Sequence, residues 1–250
     1  MTIPRWIGAL ASVAVLTLPG CASTGAQDAT LTVSAAASLT EAFTDIAAEF
    51  ESDHPGVVVS LNFAGSSALA EQVNAGAPVD VLATASATTM ATVVDAGNAE
   101  APETFASNRL VVVVPAGNPA GVTSLTDLSN ADVQTAICAA EVPCGAATAE
   151  LLQRNETSVN AVTLDPDVKS VLGRVAAGEV DAGIVYVTDA SAAGAAVESI
   201  TIPDAANVST DYLIARVADS TSGGLASEFI TLVTGPAGQQ ALADRGFGAP

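Results

Sequence analysis

The chain has 250 residues, half of them hydrophobic, enough to bury a sizeable core as one domain or two small lobes. Its 27 acidic residues outnumber 7 basic ones, for a formal net charge of -20, and this excludes a general nucleic-acid-binding or anionic-membrane surface. Any anion bound here must be held by local donors, against the field of the whole molecule.

The N-terminus reads as a secretion signal: Arg5 supplies the charge, residues 6–18 are apolar, and Leu18-Pro19-Gly20-Cys21 follows. The apolar stretch is short for a bilayer span. Leu18-Pro19-Gly20-Cys21 is similar to the bacterial lipobox, which implies removal of residues 1–20 and acylation of Cys21; an ordinary secretory signal with an incidental cysteine is the alternative. Residues 21–29 have little to bury and fit a tether between lipid and domain. Export would leave Cys138 and Cys144 where thiols oxidise, so a disulfide closing a short loop is expected. Zinc is the competing use, but the C-x5-C spacing matches no common motif and the only histidine, His54, is remote. No metal cation site is expected.

Beyond the tether, apolar β-branched runs alternate with helix-period segments, which makes the chain α/β. Strands are expected at 31–34, 57–63, 79–83, 110–114, 133–138 and 183–186. Ser38 and Glu41 form a capping-box pattern ahead of Phe43, Ile46, Ala47 and Phe50, predicting a helix N-capped by Ser38. Ser66 sits at the next strand-to-helix turn, and Leu69 and Val73 carry a helix to Gly76. Pro143-Cys144-Gly145 leads into an alanine-rich segment whose first amides are free if it is helical. Asp165 suits an N-cap with Pro166 at the first helical position, ahead of the apolar stripe Val171, Leu172 and Val175. Val168 then carries an N–H without a helical partner.

Several helix N-termini converging from α/β loops can hold an anion without lysine or arginine, in the place where open α/β sheets take ligands. A site made only of donors favours a fully ionised dianion such as molybdate, tungstate or sulfate. Hydrogen phosphate carries a proton that needs an acceptor, and Asp80 is the carboxylate that could provide one. Against this, a serine after a strand is commonly just a helix cap, and Tyr186 could reach a ligand or merely a buried partner. The chain lacks a G-x-S-x-G elbow, an H-E-x-x-H, a Walker loop and a dinucleotide glycine fingerprint, so no catalytic residues are expected. A hydrolase built on Ser38 or Ser66 would need a histidine base in a recognised pattern, and none is present. An adhesin or structural module on the same scaffold is a third possibility.

The segments Ala35-Ala36-Ala37-Ser38-Leu39-Thr40, Phe63-Ala64-Gly65-Ser66-Ser67, Asn74-Ala75-Gly76-Ala77-Pro78-Val79-Asp80 and Asn108-Arg109-Leu110-Val111-Val112-Val113 occur in that order. Val142-Pro143-Cys144-Gly145, Asp167-Val168-Lys169, Gly183-Ile184-Val185-Tyr186 and Gly235-Pro236-Ala237-Gly238-Gln239-Gln240 follow. Together they resemble the periplasmic molybdate-binding proteins of ABC importers, over residues 31–248.

The resemblance implies a type II periplasmic-binding-protein fold: two lobes, each a mixed sheet flanked by helices, with the ligand in the cleft. Lobe I would comprise 30–109 plus 212–250 and lobe II 110–211. The oxyanion would be held by the hydroxyls and amides of Ser38 and Ser66, the backbone amides of Cys144 and Val168, and the phenol of Tyr186, with no cofactor. Cys144 stands where such proteins commonly carry alanine; a backbone donor tolerates that change, and a disulfide to Cys138 would fix the loop. The implied function is capture of molybdate, with tungstate not separable from it, by a lipid-anchored monomer that closes and delivers the anion to a membrane permease. Sulfate or another tetrahedral oxyanion is the alternative ligand.

Overall fold

The computed structural model describes residues 29–250 and the first two of the chain; residues 3–28 lie outside it, and with them the expected signal, Cys21 and all but the end of the tether. One sheet runs through the molecule. Strands β1 (Ala29–Ala36), β2 (Val57–Ala64) and β3 (Val81–Thr84) are parallel, and β9 (Ser209–Val217) joins β3 antiparallel. The long β4 (Ala99–Pro115) pairs with β9 through Ala99 to Arg109, then from Leu110 with β7 (Ala182–Tyr186) and β8 (Val197–Ile200). Beyond β7 lie β5 (Thr135–Cys138) and the edge strand β6 (Ala161–Asp165), both parallel to their neighbours.

The buried apolar residues divide accordingly. One cluster is drawn, apart from Ala37, from 110–208; the other two come from 31–106 and 212–247. This is the expected two-lobed α/β architecture, with β4 and β9 continuous from one core to the edge of the other.

Helix α1 (Thr40–Asp53) buries the predicted stripe of Phe43, Ile46, Ala47 and Phe50. Phe43 and Phe50 meet Phe229 of α7 (Gly223–Thr234) edge-on, at centroid distances of 6.0 and 5.4 Å. Truncating such a fully buried phenylalanine to alanine costs about 3–5 kcal/mol. Helix α1 ends at Asp53, and His54 stacks on Phe50 and donates from Nε2 to the Glu228 carboxylate, as a surface turn should.

Two helix starts differ from expectation. Ser38 is not an N-cap: Ala37–Leu39 form a 3-10 turn before α1, neither start has a side-chain cap, and Ser38 and Glu41 point to long-range partners instead. Asp165 does not cap α5 (Val168–Ala176) either, because it is drawn into β6 opposite Cys138 and bonds Arg174; Asp167 caps the helix, accepting from Ser170 N–H at 2.9 Å. The unpredicted strands are β6, β8, β9 and the first half of β4. That half carries register shifts, and Ala101 has a φ of +45°, so its pattern does not alternate.

Candidate functional site

At the carboxyl ends of the strands, the two cores face one another across a cavity of about 20 Å³. Seating one water takes roughly 10–15 Å³, so the space between the cores is small. Ser38, Ser66, Cys144, Val168 and Tyr186 all line it.

Each is placed by a local turn. Ser38 lies in the 3-10 turn after β1, and Ser66 is the first residue of α2 (Ser66–Asn74). Cys144 is the second residue of α4 (Pro143–Arg154), after Pro143 at the position where a missing N–H costs nothing. Val168 opens α5 and Tyr186 closes β7. Amides in a first helical turn have no partner inside the helix, and α2 and α4 have no side-chain cap, so the donors and positive dipole ends of α2, α4 and α5 converge on one cavity.

The hydroxyls are aimed as well. Tyr212 is fully buried on β9, and its proton needs an acceptor; Ser38 Oγ, 2.8 Å away, provides it, while Asn108 Nδ2 donates to the Tyr212 oxygen at 3.4 Å and to Thr188 at 2.8 Å. The chain of donors therefore runs Asn108 to Tyr212 to Ser38 and leaves the Ser38 proton for the cavity. Ser66 Oγ accepts from the Ala85 amide at 3.0 Å, which likewise frees its proton. Tyr186 is buried and its hydroxyl makes no hydrogen bond of ordinary geometry, the neighbouring Thr210 included. Burial raises its pKa, so it stays a protonated donor.

Asp80, the acceptor considered from sequence, is elsewhere: its carboxylate accepts from Thr32 N–H, the Ser220 hydroxyl and Ser222 N–H. The carboxylate beside the cavity is Asp167, and both of its oxygens accept from Ser170 of its own helix. The five candidate residues thus face the cavity as donors, and its one carboxylate is already engaged within its own helix.

Cys138 ends β5 and Cys144 lies in the first turn of α4, with their Cα atoms 5.7 Å apart. Gly145 follows under steric necessity, since a Cβ there would sit 1.8 Å from the Ala139 carbonyl oxygen.

The lobes touch around the cavity. Ser67 Oγ donates to the Glu141 carbonyl at 2.6 Å, and a Cβ on Gly65 would lie 2.4 Å from the Pro166 carbonyl oxygen. Lys169 Nζ donates to both Glu41 oxygens, at 2.8 and 2.9 Å, and lies 3.2 Å from Asp189 Oδ1. Asp189 is fully buried in α6 (Val187–Ala193), and burial pushes its pKa up to about 6 although Lys169 opposes the shift.

Residues 31–248 match the family of bacterial extracellular solute-binding proteins. The molybdate-binding protein ModA of Mycobacterium tuberculosis (strain H37Rv) is 37% identical over 260 aligned positions, covering 98% of this chain and 100% of that protein. The protein of the same name from Escherichia coli K12 is 31% identical, covering 97% of this chain and 98% of its own length. The chain belongs to the ModA family of solute-binding proteins.

Two solved structures share the ModA fold: the periplasmic molybdate-binding protein of Azotobacter vinelandii, with a TM-score of 0.76 at 19% identity over 88% of this chain and 99% of that one, and the sulfate-binding protein SubI of M. tuberculosis, with 0.77 at 20% over 88% and 86%. ModA membership places the chain in a family of bacterial extracellular solute-binding proteins. In this ModA chain, sequence reasoning missed Tyr212, Asn108 and Thr188. The signal that could have found Tyr212 is a lone tyrosine in an otherwise aliphatic stretch, Tyr212-Leu213-Ile214-Ala215, where a buried phenol demands a partner.

Proposed function

We propose that the protein captures molybdate, and tungstate with it, outside the cytoplasmic membrane and delivers it to an ABC importer permease. The observation that carries this reading is the convergence of Ser38, Ser66, Cys144, Val168 and Tyr186 on one small cavity as donors, with no carboxylate among the five. A tetrahedral dianion accepts every such bond, whereas a protonated phosphate would leave its hydrogen unpaired in a dry site. Donors at helix N-termini also hold the charge without a countercharge, which suits a chain as acidic as this one.

The same reading includes a lobe division at 30–109 plus 212–250 against 110–211, a monomeric state, an oxidised Cys138–Cys144 pair outside the cytoplasm, and anchoring through an acylated Cys21. Closure of the lobes over the anion gives the form that the permease recognises. The hydrolase alternative lacks its base: His54 is engaged with Phe50 and Glu228, and no histidine lines the cavity.

Thermal unfolding tests the proposal. An anion held at about 100 times its dissociation constant adds roughly 2.7 kcal/mol, which raises the midpoint by several degrees. Molybdate and tungstate are expected to do so and phosphate is not. A shift with sulfate alone would move the assignment to sulfate, and no shift with any oxyanion would return the serines to structural roles.

A further inference from the structure

Lys169 is the only lysine of the chain, and it is used neither on the surface nor in the anion cavity. Its ammonium lies between two carboxylates of different lobes. Glu41 stands on α1, whose apolar stripe belongs to the core built from 31–106 and 212–247; Asp189 stands on α6, which with α5 closes the other core. Each member follows a cavity residue closely in the chain: Glu41 comes three after Ser38, Lys169 directly after Val168, and Asp189 three after Tyr186.

The two carboxylates are not equivalent. Asp189 is fully buried, no hydrogen bond of ordinary geometry reaches its oxygens, the neighbouring Tyr186 N–H included, and Lys169 is the one cation in contact with it among the described residues. Leaving that carboxylate bare is costly, so the lysine is tethered to it whatever the lobes do. Glu41 is one-third exposed, beside a second cavity of about 80 Å³ that Arg245 and Asp244 also line. Arg245, which shares that cavity, is paired with Asp45, so among the described residues no unengaged cation stands beside Glu41 to take the place of the lysine. Parting the lobes would break the contact to Glu41 and leave the one to Asp189.

We propose that Lys169, tethered by Asp189, latches onto Glu41 when the cleft closes, and that these three are positioning residues which hold the Val168 amide and the Ser38 turn together over the anion. This rests on the anion-capture reading above and specifies how the closed form is held. The latch touches no ligand, so its contribution is to the closed population and hence to the rate of anion release. Partly exposed ion pairs are screened by salt, which gives the latch a signature that a packing role lacks.

The test is stopped-flow and calorimetric measurement of molybdate binding to the parent protein, Glu41→Gln, Lys169→Met and Lys169→Arg, at low and at high sodium chloride. Glu41→Gln and Lys169→Met are expected to weaken binding roughly 3- to 10-fold at low salt, mainly through faster release, with the difference fading at high salt. Lys169→Arg is expected to bind as the parent does. Should Lys169→Met fail to fold, the isosteric and partly exposed Glu41→Gln carries the test by itself. Release from Glu41→Gln at the parent's rate in low salt, with the parent binding molybdate tightly, overturns the latch alone. A parent that binds no molybdate overturns the capture reading and the latch together.

Discussion

The oxygen of Ser38 lies 2.8 Å from the hydroxyl of Tyr212, a residue 174 positions later in the chain. The contact ties the turn after β1 to β9, one of the two strands that run between the cores, and Asn108 on the other such strand completes it. A side chain lining the cavity is thereby oriented by residues at the connection between the lobes.

Replacing Tyr212 by phenylalanine keeps the ring that packs edge-on against Phe247 and Tyr186, and removes the donor to Ser38. Losing one buried hydrogen bond costs about 1 kcal/mol. Molybdate affinity should fall on the order of 5- to 10-fold by calorimetry, with Ser38→Ala costing at least as much.

Gly65 should prove sensitive for reasons of space. Its φ of -59° is open to any residue, but a Cβ would meet Pro166 O at 2.4 Å across the cleft. Overpacking of this kind costs about 1–3 kcal/mol, and only in the closed form. Gly65→Ala is expected to keep the ligand-free melting temperature while weakening molybdate binding roughly 10-fold or more.

Asp189 makes stability depend on pH in a defined direction. Its folded pKa is raised from 3.8 to about 6 by burial, so the folded protein holds the proton more tightly than the unfolded chain does. Its effect on stability is most favourable below 3.8, declines as pH rises from 3.8 to about 6, and is constant above that. Asp189→Asn lacks this decline. The midpoint difference, variant minus parent, should therefore grow between pH 4 and 6 and then level off.

Removing both Cys138 and Cys144 by alanine substitution opens a short loop and should lower stability by about 2 kcal/mol, read from urea unfolding. The Cys144 amide survives that change, so binding should weaken and persist. Complete loss of binding would show that the sulfur or the bridge acts in place of the amide.

The readable parts of the fold were those set by local pattern. The stripe of α1, the strands near 31, 57, 110 and 183, and the turns carrying Ser66 and Cys144 all follow from periodicity and from proline or serine placement. Ser38 and Glu41 misled, since their spacing matches a capping box while their side chains serve Tyr212 and Lys169, partners that no local window contains. Strand β9 was missed because Asp211 and Arg216 interrupt its apolar run, and the first half of β4 because Pro102 and the shift near Ala101 break alternation. The ligand set came from resemblance; what the structure adds is the direction of each hydroxyl, which depends on Ala85, Asn108 and Tyr212 and so on the tertiary fold.

Calorimetric titration of the purified protein with molybdate, tungstate, sulfate and phosphate, repeated on Ser38→Ala and Ser66→Ala, bears most directly on the central claim. The donor-rich cavity predicts tight binding of molybdate and tungstate, weaker binding of phosphate, and marked weakening in both variants. Phosphate binding as tightly as molybdate, or molybdate binding unchanged in both variants, would contradict it.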